Sequence, residues 1–254
     1  MSAETLLAVN DVVRTFGGIR AVDGVSFDVQ RGEVFGIIGP NGAGKTALLN
    51  CLNGVYPVQS GEVVFDGNRI EHLAPHRVAA LGIGRTFQST EYFKDFRVLD
   101  YIMLGRAARQ SRSMLGCALA LRPVRRREEA ERQRCFDVLS RLGLAGYVDE
   151  HLSSLPYGIG KQVDMARGLA AEPHIMLLDE PTSGVTLRER GAMGDTIERM
   201  RDSGVTTLVV DHDVSFITRI CDRMLVMNFG RVLGIGTPQE LFARPDVARA
   251  YLGE

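Results

Sequence analysis

Residues Gly39-Pro40-Asn41-Gly42-Ala43-Gly44-Lys45-Thr46 carry the densest chemical signal in this chain. They fit G-x-x-x-x-G-K-[ST], a spacing that suits polyphosphate. The glycines let backbone N–H groups turn inward onto phosphate oxygens, and a helix N-terminus behind them adds positive potential. Lys45 would reach the terminal phosphates, and the Thr46 hydroxyl would hold Mg²⁺. Only Lys45, Lys94 and Lys161 are lysines among the 30 lysine and arginine residues. A chain that otherwise uses arginine therefore has a compact ammonium at the loop, where it suits phosphate.

Three further places could complete a site. Asp179-Glu180 closes the apolar run Ile175-Met176-Leu177-Leu178. Two acids there would lie at the carboxyl edge of a sheet, where open α/β folds bind ligands. Asp179 fits a Mg²⁺-holding acid, and Glu180 could orient and deprotonate an attacking water. His212, in Asp211-His212-Asp213, ends the run Thr207 to Val210 and could meet a terminal phosphate oxygen. Gln88 is a neutral amide suited to Mg²⁺ or to positioning water. Taken singly, each has a bland reading: an acid starting a loop, an unremarkable histidine, a polar filler. The other histidines, His72, His76, His151 and His174, are assigned to surface or structure.

The elements that must hold these residues can be read from pattern. Val34-Phe35-Gly36-Ile37-Ile38 is a buried strand leading into the loop, and Ala47 to Leu52 a helix leaving it. Val25 to Val29 alternates as a half-buried strand. Glu62 to Phe65 is another, closed by an Asp66-Gly67 turn. Residues 95–150 read as mostly helical. Beyond them, strands at 175–178, 207–210 and 224–227 alternate with helices at about 187–202 and 213–220, which implies a parallel sheet covered by helices.

Composition bounds the rest. At 254 residues and 45% hydrophobic content, the chain suits one domain or two closely joined subdomains. The longest apolar stretch, Met114 to Leu121, falls far short of the roughly 18–20 residues of a membrane span. The N-terminus lacks the basic and apolar regions of a secretion signal. Cys51, Cys117, Cys135 and Cys221 form no C-x-x-C pair, which suggests reduced thiols in a cytosolic protein. A net charge of −1 gives no nucleic-acid signature. Residues 106–141 hold ten arginines against four carboxylates, a local +6. We read that as a solvated helical face, the alternative being a subdomain near an anionic membrane surface.

In order, the phosphate loop, Gln88, Leu155-Pro156-Tyr157-Gly158-Ile159, Asp179-Glu180-Pro181-Thr182-Ser183 and His212 resemble the ATP-binding subunits of ABC transporters over essentially the whole chain. The resemblance implies an α/β fold: a phosphate-loop NTPase (RecA-like) core at about 1–90 and 163–254, with an antiparallel β subdomain and an inserted helical subdomain at about 91–162. It implies ATP and Mg²⁺ as ligands, with Thr46, Gln88 and Asp179 at the metal and Glu180, His212 and Gln88 in catalysis. Phe16 matches the aromatic that stacks on adenine. Gly158 belongs to the signature segment that caps the partner's nucleotide, just before a helix beginning near Lys161. The implied partners are two transmembrane permease subunits, a second ATP-binding subunit, identical or paralogous, and, indirectly, a solute-binding protein. The implied place is the inner face of the cell membrane, with no nucleic acid.

Within the family, Arg85-Thr86-Phe87-Gln88, Leu155-Pro156-Tyr157-Gly158 and the tail from Gly236-Thr237-Pro238 to Ala250-Tyr251-Leu252-Gly253 resemble importers of branched-chain amino acids, amides or urea. Other ABC systems, such as lipid or lipopolysaccharide exporters, and nucleotide-sensing modules remain alternatives. Four positions depart from the family's pattern, one of them Tyr157, which stands for a glycine of the signature. Pro156 offers neither N–H nor hydroxyl where the family's signature has serine, and Ile159 replaces an amide. Thr186 stands where an acid or asparagine is usual. These departures imply weak capping of the partner's ATP.

Overall fold

The computed structural model describes residues 4–86, 93–107 and 122–252. Two sheets organise it. In the first, β1 (Thr5–Phe16) and β2 (Ile19–Gln30) form an antiparallel hairpin. β1 also pairs with β4 (Ser60–Phe65), which turns into β5 (Asn68–Arg69). Asp66 and Gly67 form that turn with φ of 48° and 74°, the double positive φ of a tight hairpin. The sheet order is β2-β1-β4-β5.

The second sheet is the expected parallel one. β3 (Val34–Ile38) lies between β8 (Thr206–Val210) and β9 (Arg223–Asn228), with β7 (Ile175–Asp179) and β6 (Ile83–Arg85) beyond β8. β10 (Arg231–Gly236) adds an antiparallel edge to β9, giving the order β10-β9-β3-β8-β7-β6. Every residue of β3, β7 and β8 is buried, because both faces are covered.

Alternation along these strands splits the core in two. Phe35, Ile37, Leu177, Leu208 and Val210 face α1 (Lys45–Leu52) and the antiparallel sheet, packing with Leu48, Leu49, Val12 and Phe65. Val34, Ile38, Met176, Leu178 and Val209 share the opposite core with the helical region. That region contains α3 (Val98–Arg106), α4 (Arg122–Leu142) and α5 (Tyr157–Ala170); the short α2 (Pro75–Ala80) precedes it. α6 (Leu187–Asp202) and α7 (Val214–Ile220) complete the layer, and α8 (Pro238–Phe242) and α9 (Pro245–Leu252) end the chain.

One boundary differs from expectation. The helix placed near Lys161 begins at Tyr157, with Pro156 as its N-cap at φ −53° and ψ 146°. Gly160 N–H already donates to the Pro156 carbonyl at 3.0 Å. Gly158 and Gly160 in the first turn hide the helical pattern, since glycine reads as loop. Among the described residues, no helix is long and apolar enough to cross a membrane. Cys51, Cys135 and Cys221 are buried free thiols, and burial pushes the first two up to about 11. Cys117 lies outside the described residues.

Candidate active site

β3 delivers the loop Gly39-Pro40-Asn41-Gly42-Ala43-Gly44 to the N-terminus of α1. Gly44 is the N-cap at φ 99°, and a Cβ there would sit 2.0 Å from the Ala21 carbonyl oxygen. A Cβ on Gly39 would meet the Met227 oxygen at 2.4 Å. Neither position accepts a side chain without moving backbone. Ala43 N–H donates to Pro40 O at 3.1 Å and Ala43 O accepts from Gly230 N–H at 3.0 Å, fixing the curl of the loop. No side chain caps α1 and no acid occupies its first turn. Its N-terminal donors and dipole are therefore presented outward, the arrangement that binds phosphate.

Lys45 is buried and its ammonium donates to the carbonyls of Gly39 at 2.6 Å and Pro40 at 3.0 Å. Burial holds its pKa below the ordinary lysine value, opposed by attraction to the carboxylates of Glu180, Asp211 and Asp179. Thr46 is exposed beside it. A hydroxyl and a carboxylate are hard oxygen donors, so the Thr46–Asp179 pair fits Mg²⁺.

The acids come from the neighbouring strands. Val210 of β8 is in register with both Ile37 of β3 and Asp179 of β7. The loop and the acid thus start two strands apart, roughly 10 Å. Asp179 is buried, and the Arg85 guanidinium donates to its Oδ2 at 3.1 Å. Glu180 turns the chain away with φ 47°, a left-handed conformation costly for a glutamate and typical of functional corners. Its N–H donates to Val210 O at 2.7 Å.

Asp211, fully buried, knots the loops together. It accepts from Thr182 N–H at 3.0 Å, Thr182 Oγ1 at 2.8 Å, His212 N–H at 2.7 Å and Asp213 N–H at 2.9 Å. His212 itself is half exposed, its Nδ1 3.6 Å from Asp211 Oδ1. Gln88 lies outside the described residues.

Phe16, at the tip of β1, packs edge-on to Tyr56 at 5.0 Å between centroids, and the Arg14 guanidinium sits 4.6 Å over its ring. Gly158 is in the first turn of α5. Its N–H donates to Glu189 Oε1 at 3.3 Å, and a Cβ would crowd that carboxylate at 2.7 Å. Glu189 also forms a capping box with Thr186. The threonine found in place of an acid is thus the N-cap of α6, and Ile159 packs against the helical core.

Sequence reasoning missed three residues of this neighbourhood. Arg85 bridges Asp179 and Asn50 of α1, the latter at 2.6 Å. Asp211 was passed over in favour of His212. Lys161 donates to the backbone oxygens of Glu180, Pro181 and Ser183; its rarity as a lysine was the available signal. A cavity of about 840 Å³ opens behind the site between α2, β6, α3 and α5. Val55, His76, Ala79, Leu104, Arg85 and Arg167 line it.

Comparison with known proteins gives consistent matches. The sequence profile of the ABC transporter family matches residues 22–183. The branched-chain amino acid transport ATP-binding protein LivG of Salmonella typhimurium is 36% identical over 254 residues, covering 99% of each chain. BraF of Pseudomonas aeruginosa, of the same description, is 33% identical over 98% of each. The lipopolysaccharide export ATP-binding protein LptB of Escherichia coli K12 is 33% identical over 98% of this chain and 97% of its own. Among solved structures, a nucleotide-free ATP-binding cassette superposes with a TM-score of 0.85 at 29% identity, covering 98% of this chain and 100% of the other. An ADP-bound cassette gives 0.86 at 29% identity, covering 98% and 99%.

Proposed function

Because the chain belongs to the ABC transporter family, we propose that it is the ATP-hydrolysing subunit of an importer of branched-chain amino acids or a related small polar solute. The observation that carries this reading is the convergence of Lys45 with Asp179, Glu180 and Asp211 at one edge of the parallel sheet. Near full-length likeness to LivG and BraF supports the cargo class. The 33% identity with LptB supports a second reading, lipid or lipopolysaccharide export.

The chain's own groups divide the work. Phe16 stacks on adenine. The amides of residues 39–46 and the Lys45 ammonium hold the phosphate oxygens. Lys45 exchanges its present acceptors, the Gly39 and Pro40 carbonyls, for phosphate. Thr46 and Asp179, with Gln88, would hold Mg²⁺, which neutralises phosphate charge when bound. Glu180 takes the proton of the attacking water, and His212 donates toward the γ-phosphate. The left-handed corner at Glu180 turns the chain out of β7, and Asp211 holds the loop carrying His212.

The working unit pairs this chain with a second ATP-binding subunit, identical or paralogous, and with two membrane permease subunits at the inner membrane face. A solute-binding protein acts indirectly. The Gly158 segment caps the partner's nucleotide, weakly because Pro156 brings no donor. Closure and opening pass to the permease subunits through the region around Gln88 and Glu91 to Phe93. We place a permease element in the cavity between α2 and α3, lined by Arg85 and Thr86 just ahead of Gln88. We divide the chain into a core at about 1–90 and 163–254 and a helical subdomain at about 91–162. That boundary falls within α5, so one helix couples the two.

Lys45→Ala tests the reading in the reconstituted complex. ATP binding or turnover, and with it solute uptake, should vanish. Retained full ATPase activity removes the central premise. Uptake of a branched-chain amino acid by the native complex, against lipid extraction from the same vesicles, separates the two cargo readings.

A further inference from the structure

Arg85 sits between two regions that the proposed function treats separately. At the end of β6 its guanidinium forks, Nη1 donating to Asn50 Oδ1 at 2.6 Å and Nη2 to Asp179 Oδ2 at 3.1 Å. The first partner belongs to the helix that begins at the phosphate loop, the second is the acid assigned to Mg²⁺. The same residue also lines the cavity. Its backbone is pinned: the Arg85 carbonyl accepts from Arg167 Nη2 at 3.0 Å, and Arg167 is held in turn by Asp164, which also accepts from Tyr101 Oη at 2.6 Å. The Asp179 side chain is almost wholly buried, at 1% exposure, while that of Arg85 retains 23%. The cation therefore reaches solvent through the cavity, and the anion it holds does not.

We propose that Arg85 is a positioning residue that opposes divalent-cation binding at Asp179 and that answers to whatever fills the cavity. The proposal rests on the assignment of Asp179 to the metal. Two features carry it. A guanidinium on one oxygen of a buried carboxylate lowers the attraction of that carboxylate for a second cation, and low local dielectric magnifies the effect. The wall of the cavity is also firm. Gly84 and Gly168 press on Met176 so closely that a Cβ at either would fall within 2.5 and 2.4 Å of its side chain. A group entering from the permease side thus meets a rigid wall in which Arg85 is a partly exposed charged side chain that it can reorient. Drawing the guanidinium toward the cavity frees Asp179 for the metal, and leaving it in place keeps the acid occupied.

The test uses the full chain with Glu180→Gln, saturated with ATP, while Mn²⁺ is titrated and its binding followed by electron paramagnetic resonance. Arg85→Gln should tighten Mn²⁺ binding by about tenfold, with metal-free ATP affinity unchanged. Arg85→Lys, which keeps the charge but cannot fork to both partners, should fall between. Ala80→Trp, which places an indole in the cavity, should change Mn²⁺ affinity in the parent and leave it unchanged when combined with Arg85→Gln. Unaltered or weaker Mn²⁺ binding in Arg85→Gln overturns the opposition. An Ala80→Trp effect that is absent in the parent, or equal in both backgrounds, overturns the link to the cavity. Asp179→Asn separates the underlying premise: if it binds Mn²⁺ like the parent, the metal assignment itself fails, independently of Arg85.

Discussion

The Lys161 ammonium donates to the backbone oxygen of Glu180 at 3.0 Å. It also reaches Pro181 O at 3.2 Å and Ser183 O at 2.7 Å, and it lies 5.3 Å over the Tyr157 ring. One side chain of α5 therefore closes the loop that carries the proposed general base. Burial holds its pKa below the ordinary lysine value, opposed by attraction to Asp211 and Glu180.

Lys161→Met keeps the length of the stem and removes the donors. Three carbonyls then turn to water or go unpaired, a cost of about 1–3 kcal/mol. Urea denaturation should report that loss. ATP turnover should fall more than nucleotide affinity, because the Glu180 corner loosens while the phosphate loop stays intact. Equal stability and turnover in the mutant would make the contact incidental.

Asp211 is the larger structural liability. Asp211→Ala strips the acceptor from three backbone N–H groups and the Thr182 hydroxyl at a site with no exposure. Leaving them unsatisfied should cost about 3–5 kcal/mol, read as a lowered denaturation midpoint. Asp211→Asn keeps the shape and one acceptor oxygen, so it should cost less. In both variants, ATP turnover should drop through displacement of His212.

How far could these contacts be foreseen? The Gly39–Thr46 loop and the strands around it were legible because local pattern alone defines them: an apolar run, a glycine turn and a helix. Asp179 and Glu180 were legible because they end such a run. Lys161, Arg85 and Asp211 were not, since each acts on a partner 19 to 94 positions away, and spacing says nothing about such pairs. Pro156 and Thr186 read as defects in a motif and serve in the structure as helix N-caps. Capping is a local role, visible only once the helix start is known, and glycines had hidden one of the two starts.

Phe16 offers a ring already engaged by Arg14 at 4.6 Å and by Tyr56 at its edge, yet it stays 38% exposed. An exposed aromatic held in place by a cation and a second ring is preorganised for stacking. Phe16→Ala should weaken nucleotide binding by about 1–3 kcal/mol, measured by titration of a fluorescent ATP analogue. Arg14→Ala should produce a smaller loss in the same assay, because it removes only the support. Unchanged affinity in Phe16→Ala would assign the ring to hairpin packing.

Glu180→Gln separates binding from chemistry. The substitution is nearly isosteric and keeps the backbone N–H that donates to Val210 O, so the φ 47° corner has no reason to relax. The amide cannot accept the proton of an attacking water. It also removes one of the negative charges that attract Lys45 and Lys161, which should favour an incoming anionic phosphate. ATP affinity should therefore hold or rise while turnover falls by about 100-fold or more. Since the γ-phosphate would stay between this chain and its partner, size-exclusion chromatography with ATP should show a persistent ATPase dimer, and ADP should not support it. Turnover at the native rate would remove Glu180 from the chemistry and direct attention to His212.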